Sequence, residues 1–107
     1  MTADGSDENQ ILVPPSFVAL YSSPQGRLQC RPDALRARYE LCEDLTSALV
    51  EQAQQLYHGP CPSEPQVLLS LHQALAAPEA GLTPAEARWC IQRLAELLAW
   101  PCPLLGA

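Results

Sequence analysis

The sequence LTPAEARWCIQRLAELLAWP, residues 82–101, predicts a helix whose start, body and end can all be read from its residues. Thr83 is a good N-cap, Pro84 suits the first helical position, and Glu86 stands where a capping-box carboxylate accepts from the amide of the cap. Pro101 ends the helix because its ring clashes with the preceding turn. Between these points, apolar residues recur at three- and four-residue spacing: Ala87, Cys90, Ile91, Leu94, Leu97 and Leu98. This stripe predicts an amphipathic helix packed on a core.

The longest predicted helix lies upstream, at residues 32–58, and ends at Gly59 and Pro60. Its apolar positions follow the same spacing: Leu35, Tyr39, Cys42, Leu45, Leu49, Ala53 and Leu56. The opposite side is polar and acidic, which is typical of a solvated face. We expect this helix to be central and to supply one side of the core.

Two shorter helices complete the predicted fold. Residues 15–21 predict a short N-terminal helix with Phe17 on its inner side. A further helix begins after Ser63, a predicted N-cap with Gln66 as its capping-box partner, and ends at Pro78. Because the loops between the main helices are short, we predict an all-α fold. The expected architecture is a compact bundle of three main helices plus a short N-terminal helix.

The N-terminus differs in composition from the rest of the chain. Residues 1–10 are polar and acidic, so we expect a disordered N-terminus there and a single helical domain at residues 11–107. These ten residues lack the basic and apolar regions of a secretory signal, and no later apolar run is long enough to span a bilayer. We therefore expect a cytoplasmic protein whose five cysteines are thiols.

The charge balance excludes several classes of function. The chain has six Arg, no Lys and 12 acidic residues, for a formal net charge of −6. Nucleic acids and anionic membranes are bound by clustered cations, so neither is an expected partner. Without lysine, the chain cannot build a Walker phosphate loop or a Schiff base, so we expect neither a bound nucleotide nor a cofactor.

The candidate chemistry of the chain is sparse. His58 and Cys61 are three residues apart, but no third residue or oxyanion site accompanies them, so we predict a non-enzymatic protein with no catalytic residues. An alternative function is a cytosolic thiol or metal sensor that uses the loop cysteines Cys30, Cys61 and Cys102. The chain has no Cys-x-x-Cys pair of the kind that structural zinc sites contain, so we predict no metal.

The last helix suggests a binding surface. Trp89 and Trp100 lie off its apolar stripe and, with Arg93 and Glu96 between them, define a second face. Aromatic residues and arginine are the types that anchor protein interfaces. We therefore predict that these four residues bind another protein or a second copy of the chain. The alternative is that the short N-terminal helix covers both indoles.

Three segments resemble a family of short uncharacterised proteobacterial proteins of about this length. They are ILVPPSFVAL at residues 11–20, ARYELCED at residues 37–44 and TPAEARW at residues 83–89. Some members are labelled "ATPase with chaperone activity". Since the chain cannot build a lysine-containing phosphate loop, the resemblance implies at most an adaptor associated with a chaperone ATPase. It brings no catalytic residues.

Overall fold

The computed structural model describes residues 13–105, and this part of the chain is all-α, as predicted. Its elements are helix α1 (Pro15–Val18), a 3-10 turn (Ala19–Tyr21), α2 (Pro32–Tyr57), α3 (Glu64–Ala76), a second 3-10 turn (Pro78–Ala80) and α4 (Pro84–Leu98). The three main helices and the short N-terminal helix are therefore confirmed. None of the helices found between residues 13 and 105 is both long and apolar enough to cross a membrane.

The chain divides into two compact units, Met1–Tyr39 and Glu40–Ala107, with the boundary inside α2. The N-terminus predicted to be disordered, residues 1–10, lies outside the described residues. The single domain predicted for residues 11–107 stays a prediction.

The first unit is organised around Phe17, which is fully buried. Its ring centroid lies 5.8 Å from that of Tyr21 and 5.6 Å from that of Tyr39, close enough for both pairs to gain aromatic contact energy. An isolated antiparallel bridge between Ser22 and Leu28 closes the following loop. These contacts attach α1 to the first turns of α2.

In the second unit, α4 begins with the capping box that the sequence predicts. The Thr83 amide donates to Glu86 Oε1 at 2.9 Å, and the Glu86 amide donates to Thr83 Oγ1 at 3.0 Å. Glu86 is fully buried, so its carboxylate needs hydrogen-bond donors to offset the loss of water. The capping box supplies one, and it also fixes the residue at which α4 starts.

The capping box predicted for α3 is wrong. Ser63 is the N-cap of α3 and has an extended backbone, but its side chain accepts no hydrogen bond from the helix. An N-cap side chain bonds to the amide of the second or third helical residue. The second helical residue of α3 is Pro65, which has no N–H, so only one of the two amides that could bond to Ser63 is present.

The C-terminal end of α4 has an unusual residue in a common motif. Ala99 has φ 59° and ψ 39°, the left-handed conformation that glycine usually supplies at this position. The Ala99 amide donates to the Glu96 carbonyl at 3.1 Å, and the Trp100 amide donates to the Ala95 carbonyl at 2.9 Å. This pair of bonds is a Schellman motif, and it ends α4 at Leu98, ahead of Pro101.

The buried face of α4 is broader than the predicted stripe. Ala87, Cys90, Ile91 and Leu94 are fully buried as expected, but Leu97 is 42% exposed. Trp89, which lies roughly opposite the stripe at 3.6 residues per turn, is only 5% exposed. The helix is therefore buried on more than one side, and its last turn opens toward solvent.

The stripe of α2 is confirmed only in part. Leu35, Cys42 and Ala53 are buried, whereas Leu45 and Leu49 are half-buried. Thr46, which was not on the predicted stripe, is fully buried, and its hydroxyl donates to the Cys42 carbonyl at 2.7 Å. The buried positions of α2 in the second unit are thus small residues.

The difference between Leu94 and Leu97 gives a matched test of the core. Leu94→Ala should lower the free energy of unfolding by about 2–5 kcal/mol, because it empties a fully buried site. Leu97→Ala removes the same atoms from an exposed site and should cost about 1 kcal/mol or less. Urea unfolding followed by circular dichroism measures both. Equal losses would mean that the register of α4 is wrong.

The left-handed Ala99 gives a second prediction. Ala99→Gly should raise the free energy of unfolding by about 1 kcal/mol, because glycine adopts this conformation without the steric cost that a Cβ brings. Ala99→Val should lower it, since a β-branched residue is least tolerated there. Thermal unfolding of both variants beside the wild type checks the pair. A glycine variant that melts below the wild type would contradict the assigned helix end.

Candidate functional site

The end of α2 places two aromatic rings next to each other. Beyond Tyr57 the chain turns back, and the Cys61 amide donates to the Leu56 carbonyl at 2.9 Å. Gly59, predicted as a C-terminal glycine, does not have the left-handed backbone that such a glycine often adopts. A Cβ at this position would lie 3.0 Å from the Gln55 carbonyl oxygen, so a larger residue would have to push the backbone slightly apart. This tight turn leaves Tyr57 half-buried and His58 exposed.

The end of α4 brings Trp100 to the same place. The Trp100 ring centroid lies 5.2 Å from that of Tyr57, with the rings tilted by 53°. The His58 and Tyr57 rings meet edge to face, with centroids 5.1 Å apart. Trp100 remains half-buried in this arrangement. We call Tyr57, His58 and Trp100 the aromatic patch.

Two exposed leucines flank the aromatic patch in the sequence. Leu97 is in the last turn of α4, and Leu104 follows in the C-terminal segment, where it is 98% exposed. Exposure of large apolar side chains to water is unfavourable, so a partner that covers them gains binding free energy. Exposed apolar side chains therefore lie on both sides of Trp100 in the sequence.

Trp89 lies in the core. Its side chain is 5% exposed and it counts among the buried residues of α4. A partner cannot reach an indole at this depth without opening the fold. Of the two tryptophans predicted to bind a partner, only Trp100 is accessible.

Arg93 and Glu96, the charged members of the predicted face, form an ion-pair network. Arg93 Nη2 lies 3.2 Å from Glu43 Oε2 on α2, and Arg93 Nη1 lies 3.2 Å from Glu96 Oε1. The hydrogen bonds to Glu43 raise the pKa of the Arg93 guanidinium. The Arg93 and Glu43 side chains are 35% and 25% exposed, so water screens the pair and its contribution is modest, about 1 kcal/mol. Arg93 thus joins α2 to α4, whereas the Glu96 side chain is 70% exposed.

The cysteines of the alternative sensor function do not form a metal site in the described residues. All five cysteines lie within that part of the chain, and none is in a disulfide. Within residues 13–105, no three or more His, Cys, Asp or Glu side chains are arranged to hold a metal ion. Cys30 and Cys61 are half-buried and Cys102 is exposed. Partial desolvation raises the pKa of the Cys102 thiol, which lowers its reactivity as a thiolate.

An open groove in the first unit is lined by few polar side chains. It has a volume of about 510 Å³, and its polar side chains are Ser22 and Ser23. The Ser22 hydroxyl donates to the Val18 carbonyl at 2.8 Å, and Ser23 Oγ accepts from the Arg27 amide at 3.1 Å. Both hydroxyls are thus used to hold the local backbone. No acid, base or activated nucleophile is among the residues that line this groove.

Sequence reasoning missed three residues of the candidate site. The sequence singles out His58 only as a neighbour of Cys61, and no spacing in it gives Tyr57 or Glu43 a part in a binding surface. Two aromatic residues at the end of one predicted helix and a tryptophan at the end of another are the only signal that the sequence offers. That signal is weak, because it does not say which helix ends meet.

Comparison with known proteins finds no counterpart for this chain: no family model, no curated protein and no solved structure matches it. The resemblance of residues 11–20, 37–44 and 83–89 to short proteobacterial proteins stays a prediction.

Proposed function

We propose that the chain is a small non-enzymatic helical module that binds another protein through the aromatic patch. The supporting observation is the position of Trp100, which rests on Tyr57, beside exposed His58, while keeping part of its indole accessible. Tryptophan and tyrosine supply large contact areas at a small entropic cost, and they dominate the energetics of many interfaces.

The remaining predicted residues take different roles in this proposal. Trp89 stabilises the fold from the core, and Arg93 holds α4 to α2 through Glu43. Glu96 belongs to the rim of the binding surface, because most of its side chain is exposed. Such a surface has an aromatic centre and a charged rim, which is the usual arrangement at protein interfaces.

The charge of the chain favours a partner of different composition over a second copy. Two copies would each bring a formal net charge of −6, and their fields repel. A segment with apolar residues and basic flanks would instead fill the aromatic patch and pair with carboxylates such as that of Glu96. A chaperone ATPase as the partner, and a bacterial cytoplasm as the location, are narrower versions of the proposal that rest on the sequence alone.

The variant Trp100→Ala tests the proposal. We expect it to lose the proteins that the immobilised wild-type chain captures from a lysate of its native cells, because the centre of the surface is removed. Its free energy of unfolding should fall by less than that of Leu94→Ala, because the variant removes one aromatic contact and an indole that is only partly buried. Quantitative mass spectrometry of the captured proteins and urea unfolding provide the two readouts.

Leu41→Ala is the matched control, since Leu41 is a 40% exposed leucine of α2 outside the aromatic patch. It should capture the same proteins as the wild type. Unchanged capture by Trp100→Ala would overturn the proposal. A loss of stability as large as that of Leu94→Ala would also overturn it, because Trp100 would then be core. Sedimentation that shows a dimer dissociated by Trp100→Ala would assign the surface to a second copy.

A further inference from the structure

Two cysteines meet in the core between α2 and α4. Cys42 and Cys90 are both fully buried, and the Cys90 thiol donates to the Cys42 carbonyl oxygen at 3.7 Å. The same carbonyl accepts the Thr46 hydroxyl at 2.7 Å. Two thiols from different helices and one hydroxyl thus share a small buried volume.

Small side chains on α2 let the Cys90 side chain of α4 reach the α2 backbone here. Cys42 and Thr46 are small residues at four-residue spacing, so they occupy the same side of α2 and let α4 approach. Cysteine packs as a small apolar residue, and this accounts for its presence in a core. Packing alone does not require a cysteine on both sides of the contact, since alanine would fill either position.

We propose that Cys42 and Cys90 form an oxidisable dithiol, which a hydroperoxide converts into a disulfide between α2 and α4. This inference does not depend on the proposed binding function. The Cys90 thiolate attacks hydrogen peroxide, which breaks the O–O bond, gives Cys90 sulfenic acid and releases hydroxide. The Cys42 thiol then attacks the Cys90 sulfur, forms the S–S bond and releases water. In sum, two thiols lose two electrons and two protons, and one hydrogen peroxide becomes two waters.

The surroundings decide which thiol reacts first. Hydrogen bonding with the side chain of Cys42, and to a lesser degree with that of Thr46, lowers the pKa of the Cys90 thiol against the opposing effects of burial and of the Glu86 and Glu43 carboxylates. We assign Cys90 as the attacking nucleophile because a lowered pKa raises its thiolate fraction, and Cys42 as the thiol that resolves the sulfenic acid. Because the pair is buried, a small oxidant such as hydrogen peroxide reaches it through local opening more readily than a bulky disulfide does.

The test uses the full chain with Cys30, Cys61 and Cys102 replaced by serine, so that Cys42 and Cys90 are the only thiols. The folded protein is exposed to hydrogen peroxide, unfolded, and treated with an alkylating agent. We expect an intact mass lower by two hydrogen atoms, no alkylation, and a non-reduced tryptic map that joins residues 89–93 to residues 39–88. The thermal midpoint should rise on oxidation and return with a reductant, because the bond constrains the unfolded chain.

Single variants in the same background separate the roles of the two thiols. In Cys42→Ala, the sulfenic acid on Cys90 should persist and be trapped by dimedone. In Cys90→Ala, Cys42 should remain unmodified over the same exposure. Two alkylated thiols after peroxide treatment of the chain that retains both cysteines would overturn the proposal, as would separate sulfinic acids on Cys42 and Cys90. If the serine background does not fold, fragmentation of the linked wild-type peptides gives the decision, because it shows whether Cys42 or Cys61 of residues 39–88 is joined to Cys90.

Discussion

The second unit depends on the fixed register of α4. A capping box sets the first residue of the helix, and a left-handed Ala99 sets the last. Because the fully buried Glu86 side chain is bonded to the Thr83 amide, moving the helix start by one residue would leave a buried polar group without this donor. Both ends of α4 are therefore fixed, and the buried Glu86 marks a side of the helix that faces the core. The contacts that α4 makes with α2 build on these fixed ends.

Three such contacts lie along α4, and each has a different chemical character. Cys90 meets Cys42 in the core, Arg93 pairs with Glu43 in a partly exposed position, and Trp100 rests on Tyr57 at the helix end. Along α4 the contacts change from a buried thiol to a partly accessible indole, because the last turn of the helix is more exposed to solvent. A single helix thus supplies the core, a link to α2 and the surface that we propose as a binding site.

The sequence predicts those features whose causes are local. Thr83 and Glu86 are three residues apart, so their capping box can be recognised without knowing the rest of the fold. Ser63 has the same pattern but makes no cap hydrogen bond, and Pro65 removes one of the two amides that such a cap can use. The helices themselves are predicted because their periodic apolar positions and their stop signals are local as well.

Features that depend on which helices meet could not be predicted in the same way. A helical wheel assumes one buried side, so it places Trp89 on a surface when α4 is in fact buried on more than one side. The contact between Tyr57 and Trp100 joins the ends of two helices, and no spacing rule connects them. For the same reason, the sequence shows Cys42 and Cys90 as core residues and does not show that they are neighbours.

The most direct test of this account is the accessibility of each tryptophan, measured by acrylamide quenching of fluorescence in two variants. Trp100→Phe leaves Trp89 as the only indole, and Trp89→Phe leaves Trp100. With α4 in the register described here, Trp89 should emit at the shorter wavelength and be quenched weakly, while Trp100 should be quenched more strongly. Equal quenching of the two indoles, or stronger quenching of Trp89, would contradict the register and with it the proposed binding surface.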